Sequence, residues 1–116
     1  NFAVSDECKQ VHFLSRGGRN GRMSDSGAAV EAVRIDSLNQ PFSLIKMDVE
    51  GAELDALSGG AETIKKFRPK MLVSAYHRSE DIFTLPLKVL EIQPTYKIYM
   101  RHLPYIPAWD TNYIFV

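Results

Sequence analysis

The stretch IKMDVEGAELDALSGG, Ile45 to Gly60, constrains this chain most, because the hydrophobic period changes inside it. Ahead of it stands Pro41, a breaker, and the apolar run from Ser43 to Asp48 reads as a buried central strand. From Glu53 onward the apolar residues Leu54, Leu57, Ala61 and Ile64 recur at spacings of three, four and three, which is one face of a helix. Gly59 and Gly60 interrupt that face and predict two short helices or a kink at Ser58 to Gly60. A strand feeding a helix through an acidic turn is half of a β-α-β unit, and such units build α/β sheets.

The rest of the chain agrees with that class. RPKMLVSAYH predicts a second buried strand over Lys70 to Tyr76. SEDIFTLPLKVLEI predicts a helix with Ser79 as its N-cap and Pro86 as a kink or restart. YKIYMRHL alternates and TNYIFV closes the chain as a strand, so the last two strands are expected to pair antiparallel. Residues 1–37 read differently: FAVS and QVHFLS, separated by the polar DECK, predict a β-hairpin, followed by the loop RGGRNGRMSDSG and a strand ending near Asp36. One unit results, with residues 1–37 as hairpin, loop and strand and residues 38–116 as the signature-bearing α/β portion.

Fourteen basic against fourteen acidic residues give zero net charge, which disfavours nucleic acid and anionic membranes as partners. No apolar run reaches the roughly 18 residues of a membrane helix, so a cytoplasmic location is the expectation. Cys8 has neither a disulfide partner nor a ligand-spaced neighbour and reads as a bystander. GGRNG, Gly17 to Gly21, opens no helix, so it is not a phosphate-binding fingerprint, and Arg16, Arg19 and Arg22 read as a solvated turn.

In open α/β sheets ligands bind beyond the carboxyl ends of the strands. Asp48, Glu50, Gly51 and Glu53 meet that condition, and so does His77 at the end of the next strand. A carboxylate there binds a cation, accepts a proton or holds a hydroxyl, and imidazole is the commonest general base near neutral pH. The plainer alternatives are that Asp48 and Glu53 serve the N-terminus of the following helix and that His77 is solvated. His102 ends a strand whose antiparallel setting would put it on the opposite edge, a structural residue. Trp109, the chain's one tryptophan, either lines a substrate pocket or covers a strand edge.

The run from Ser43 to Ile92 resembles the FkbM-type S-adenosylmethionine-dependent methyltransferases. The residues that carry it are Lys46, Asp48, Glu50, Gly51 and Glu53, then Leu57, Gly59, Arg68 and Pro69. AYHRSEDIFTLPLKV, YKIYMRH, NFAVSDECKQVHF and VRIDSL extend the resemblance over nearly the whole chain. It implies the C-terminal part of a Rossmann-like methyltransferase sheet, flanked by helices and ending in an antiparallel strand pair. The implied reaction moves a methyl group from S-adenosyl-L-methionine to a hydroxyl oxygen of a sugar or other small metabolite. Asp48 and His77 are then the expected catalytic pair, with Asp48 also a ligand for a divalent cation such as Mg2+. Glu50, Gly51, Glu53 and Trp109 are expected to face the acceptor, and Ala3, Val4, Ser5 and Asp6 to touch the cofactor. The family's glycine-rich cofactor loop and its ribose-binding acid occur nowhere in these 116 residues and are expected ahead of Asn1. The chain alone is therefore expected to be inactive, with an open sheet edge through which it would form a homodimer. The alternative is a non-catalytic α/β module for assembly or regulation.

Overall fold

The computed structural model describes residues 2–14, 22–23, 28–102 and 111–116. Among these residues it is a mixed α/β structure with two four-stranded sheets and three helices. Strands β1 (Ala3–Val4), β2 (Lys9–Leu14), β3 (Arg22–Met23) and β4 (Ala28–Val33) form the first sheet in the order β1-β4-β2-β3. Strands β5 (Leu44–Met47), β6 (Lys70–Ser74), β7 (Ile98–His102) and β8 (Thr111–Phe115) form the second in the order β5-β6-β8-β7. No described helix is long and apolar enough to cross a membrane.

The second sheet carries the core. Alternation puts Ile45, Met47, Met71, Val73, Tyr113 and Phe115 on one face, and the register sets them in rows, with Met47 beside Val73 and Met71 beside Phe115. Helices α1 (Glu53–Gly59), α2 (Ala61–Phe67) and α3 (Asp81–Ile92) cover these rows with the buried residues Leu57, Ile64, Leu85 and Val89. The predicted break is realised at Gly60, which ends α1 and begins α2. β5 was expected to be central, but β6 is its sole partner among the described strands, and its outward Leu44 is 63% exposed. An apolar composition is shared by central strands and by edge strands that await a neighbour, so the sequence does not separate them.

The hairpin expected between the first two strands does not form. β4 lies between them, parallel to β1 and antiparallel to β2, whose hairpin partner is β3. Alternation identifies strands but not neighbours, and the six-residue β4 offers β2 five register pairs where the two-residue β1 could offer two. The last two strands do pair antiparallel, from Ile98 beside Phe115 to His102 beside Thr111.

Two tertiary contacts replace local signals. Helix α2 has no side-chain cap of its own, and the Asp36 carboxylate, from a 3-10 turn at Ile35–Leu38, accepts the N–H groups of Thr63 at 2.8 Å and Glu62 at 3.4 Å. Asp36→Ala is expected to lower stability by about 1–2 kcal/mol in denaturant unfolding, the range of a lost N-cap, and Asp36→Asn by less. An unchanged midpoint for Asp36→Ala would show that α2 does not depend on this cap.

Proline lacks the N–H that would reach the carbonyl four residues back, yet α3 runs through Pro86 as one helix. The released Ile82 carbonyl accepts instead from the Tyr113 hydroxyl at 2.7 Å. Ser79 does not cap α3. The turn before it is closed reciprocally, Asp81 N–H donating to the Arg78 carbonyl and Arg78 N–H to the Asp81 carboxylate.

Candidate functional site

β5 and β6 run parallel, with Met47 beside Val73, so the segments leaving them emerge at the same edge of the sheet. From β5 the chain turns at Val49–Ala52, where Ala52 N–H donates to the Val49 carbonyl at 3.2 Å. Both central residues are left-handed, Glu50 at φ 55° and Gly51 at φ 94°, the requirement of a type I′ turn. Glycine meets that requirement without strain, whereas a left-handed glutamate costs about 1–2 kcal/mol. A Cβ on Gly51 would also stand 3.2 Å from Arg78 Nε and 3.7 Å from His77 Cβ, so the turn packs directly on the segment that leaves β6.

This turn folds Glu53, the first residue of α1, back beneath it. Glu53 is 1% exposed, and its Oε1 accepts the Val49 N–H at 2.9 Å. His77 Nδ1 lies 2.8 Å from the same oxygen, and His77 Nε2 lies 3.6 Å from both Asp48 Oδ1 and Glu50 Oε2. The imidazole is only 9% exposed, so His77 is not the solvated residue that the plainer sequence reading allowed. The structure thus joins Asp48, Glu50, Gly51, Glu53 and His77 in one place. The helix-terminus alternative for Glu53 also holds in part, because it does sit in the first turn of α1.

Tyr76 completes the rim. Its hydroxyl donates to Asp48 Oδ1 at 2.9 Å, and its ring lies 4.2 Å from that of His77 between centroids. Burial first, and then the bond to Asp48 and its negative charge, push the phenol up to about 12, so it remains a donor at neutral pH. Beneath lies Asp81, 3% exposed, whose carboxyl is held above its ordinary range by burial and by the negative charge of Glu53. Sequence reasoning placed Asp81 only as a first-turn acid. Its burial depends on how α3 returns over the sheet, and nothing local signals that.

The placement of His102 corrects the sequence expectation. β8 is antiparallel to both β6 and β7, so β7 points the same way as β6 and ends at the same edge as His77. His102 stands two strand spacings away from β6, about 10 Å, with Nδ1 at 2.9 Å from the Thr111 hydroxyl. An even number of antiparallel steps restores direction, and the sequence order of the last two strands does not reveal their order in the sheet.

The residues expected to touch a cofactor lie apart, in the first sheet. Ala3 and Val4 pair with β4, Ser5 is 1% exposed with its N–H bonded to the Val33 carbonyl, and Asp6 accepts from the Ser5 hydroxyl while facing Lys9. Of the four, Asp6 alone turns a polar side chain to solvent. Trp109, Arg16 and Arg19 lie outside the described residues, whereas Arg22, expected in the same solvated loop, stands in β3 in register with Leu14; Cys8 is exposed and has no disulfide partner.

The chemistry of the edge is that of a cation or proton site. Three carboxylates, Asp48, Glu50 and Glu53, face one imidazole, and a fourth, the buried Asp81, stands near enough to Glu53 for its carboxyl to feel that charge.

Residues 1–105 match the family described as the methyltransferase FkbM domain. The fold is similar to the crystal structure of methyltransferase FkbM from Methylobacillus flagellatus KT, with a TM-score of 0.71 and 39% identity over 76% of this chain. That similarity spans 24% of the solved protein's length. No curated protein matches the chain.

Proposed function

The chain belongs to the FkbM methyltransferase domain family, and from that premise we propose that it forms the acceptor side of an S-adenosylmethionine-dependent O-methyltransferase. The observation that carries this reading is the convergence of Asp48, Glu53 and His77 at the carboxyl edge of β5 and β6. Ligands of open α/β sheets bind at that edge. The family signature residues Lys46, Asp48, Glu50, Gly51 and Glu53 run from the end of β5 into the first turn of α1. Glu50 in a left-handed conformation fits the same reading, since strained backbone gathers at functional sites.

The acceptor is a hydroxyl of a sugar or small metabolite, and methyl transfer to it needs its oxygen freed of its proton and held in line with the methyl group. Asp48 and His77 are the groups that loosen this proton, directly or through a cation they hold, Tyr76 fixes the orientation of Asp48, and the exposed Glu50 meets other hydroxyls of the acceptor. S-adenosylmethionine supplies the methyl group. Because Ala3 to Asp6 offer one outward polar group, the cofactor's main contacts belong to residues beyond this chain, in a Rossmann-like sheet whose C-terminal part is this one. The side of β5 that has no partner among the described strands is where such a sheet would continue.

The test is methyl transfer by a protein that carries this segment together with its upstream cofactor half. Asp48→Asn and His77→Ala are each expected to lower kcat at least ~100-fold, the scale of general acid-base catalysis, with folding retained. Unchanged turnover would sink the site assignment. The 116-residue chain titrated with S-adenosylmethionine is expected to give no micromolar binding. The alternative, a non-catalytic assembly module pairing through β5, predicts a dimer of the isolated chain and an upstream segment without a glycine-rich cofactor loop.

A further inference from the structure

We infer that Asp48, Glu53 and His77 form a binding site for a divalent transition-metal ion. One ligand atom from each lies within 4.8 Å of the others, so side-chain shifts of a few tenths of an ångström bring all three within the ~4.2 Å that an ion bound at ~2.1 Å bridges. The arrangement is unfinished without an occupant. Glu53 Oε2 and both ring nitrogens of His77 are buried without a hydrogen-bond partner. His77 Nδ1 and Glu53 Oε1 approach to 2.8 Å, yet the carboxylate lies off the axis of a ring hydrogen bond. Two donor atoms facing one another off axis are close to the separation of adjacent ligands around an ion bound at ~2.1 Å. Leaving such groups buried and unpaired costs about 1–3 kcal/mol each, and more where they are charged.

Each carboxylate also has an outer partner that fixes its orientation. The Tyr76 hydroxyl holds Asp48 Oδ1, and the Val49 N–H holds Glu53 Oε1. Outer partners of this kind orient metal ligands. Asp48 is 39% exposed while Glu53 and His77 are buried, so the ion would be gripped from below and open toward solvent. That open side is where an oxygen of the acceptor would enter. This role, unlike the binding itself, rests on the methyltransferase reading above. An ion there acidifies the hydroxyl it holds, and His77 acts through the ion rather than as a free base.

One imidazole and two carboxylates select Mn2+, Co2+ or Zn2+ over Mg2+ and Ca2+, which favour all-oxygen shells. The experiment is calorimetric titration of the 116-residue chain with MnCl2, CoCl2, ZnCl2 and MgCl2, with no methyl donor or acceptor present. One transition-metal ion per chain is expected, bound at least ~10-fold more tightly than Mg2+. His77→Gln and Glu53→Gln should each weaken it at least ~10-fold, the lower end of what even outer-shell substitutions cost. Should either variant fail to fold, histidine ring NMR of the unaltered chain answers instead. Zn2+ should shift the His77 resonances at one equivalent and spare the exposed His12 and His102. Equal affinity for Mg2+ and the transition metals, or a His77 resonance unmoved by Zn2+, overturns the site. Because these readouts use no donor, they stand or fall separately from methyl transfer.

Discussion

Gly59→Ala is expected to destabilise the protein by about 2–3 kcal/mol, although helix propensity alone predicts a gain of about 1 kcal/mol from the same change. Gly59 is the last residue of α1, and a Cβ built there would lie 2.0 Å from the Ser5 carbonyl oxygen, 3.0 Å from its carbon and 3.2 Å from Asp6 Cα. All three are backbone atoms. They cannot rotate away, and the segment leaving β1 is tied to β4 through the Ser5 N–H to Val33 carbonyl bond. Either the first sheet shifts off α1 or the helix end unwinds. Denaturant unfolding of Gly59→Ala beside Gly60→Ala separates the two influences. A Cβ on Gly60 would meet the Ile35 side chain at 3.2 Å and the Ala56 carbonyl oxygen at 3.3 Å, contacts that a shift of a few tenths of an ångström relieves, so its cost should be the smaller. A Gly59→Ala protein as stable as the original would mean that β1 does not pack on α1 as described.

Phe115→Ala should cost about 3–5 kcal/mol, the range for deleting a fully buried aromatic ring. Phe115 is 0% exposed and lies in register between Met71 of β6 and Ile98 of β7. Its ring meets Tyr96 edge-on at 6.2 Å between centroids and Tyr113 at 6.0 Å. The Tyr96 hydroxyl is itself anchored on the Pro69 carbonyl at 2.6 Å, so the neighbours cannot easily collapse into the space. Tyr99→Ala, one strand away on an exposed side chain, is the control and should fall within about 0.5 kcal/mol. A cost below about 1 kcal/mol for Phe115→Ala would contradict the face assigned to β8.

The parts of the fold legible in the sequence were those with strong local periods. The face formed by Leu57 and Ile64, the break near Gly60 and the strand at Lys70 followed from spacing and breakers. Legibility failed where the decisive partner was distant in sequence. Asp36 caps α2 from 27 residues away, and Tyr113 takes the carbonyl freed by Pro86 from 31 residues away. Ser79 looked the better cap for α3, but Asp81 closes that turn through a backbone N–H, leaving Ser79 exposed. The exchange of β2 for β4 beside β1 has the same origin, since any apolar alternating strand satisfies a pattern that names no neighbour.

The site divides along the same line. The sequence by itself determined that Asp48, Glu50, Gly51 and Glu53 follow a strand and that His77 follows the next parallel one, because strand direction and the β-α-β order place both ends at one edge. Its motif also determined the family. Only the tertiary structure decided that Glu53 is buried, that it meets His77 at 2.8 Å, that Tyr76 holds Asp48, and that His102 shares the edge. Those facts depend on a left-handed turn at Glu50–Gly51 and on β8 lying between β6 and β7. Neither is a local preference. The turn exists because Gly51 must pack on His77 and Arg78, and strand order is set by which apolar faces fill the core together.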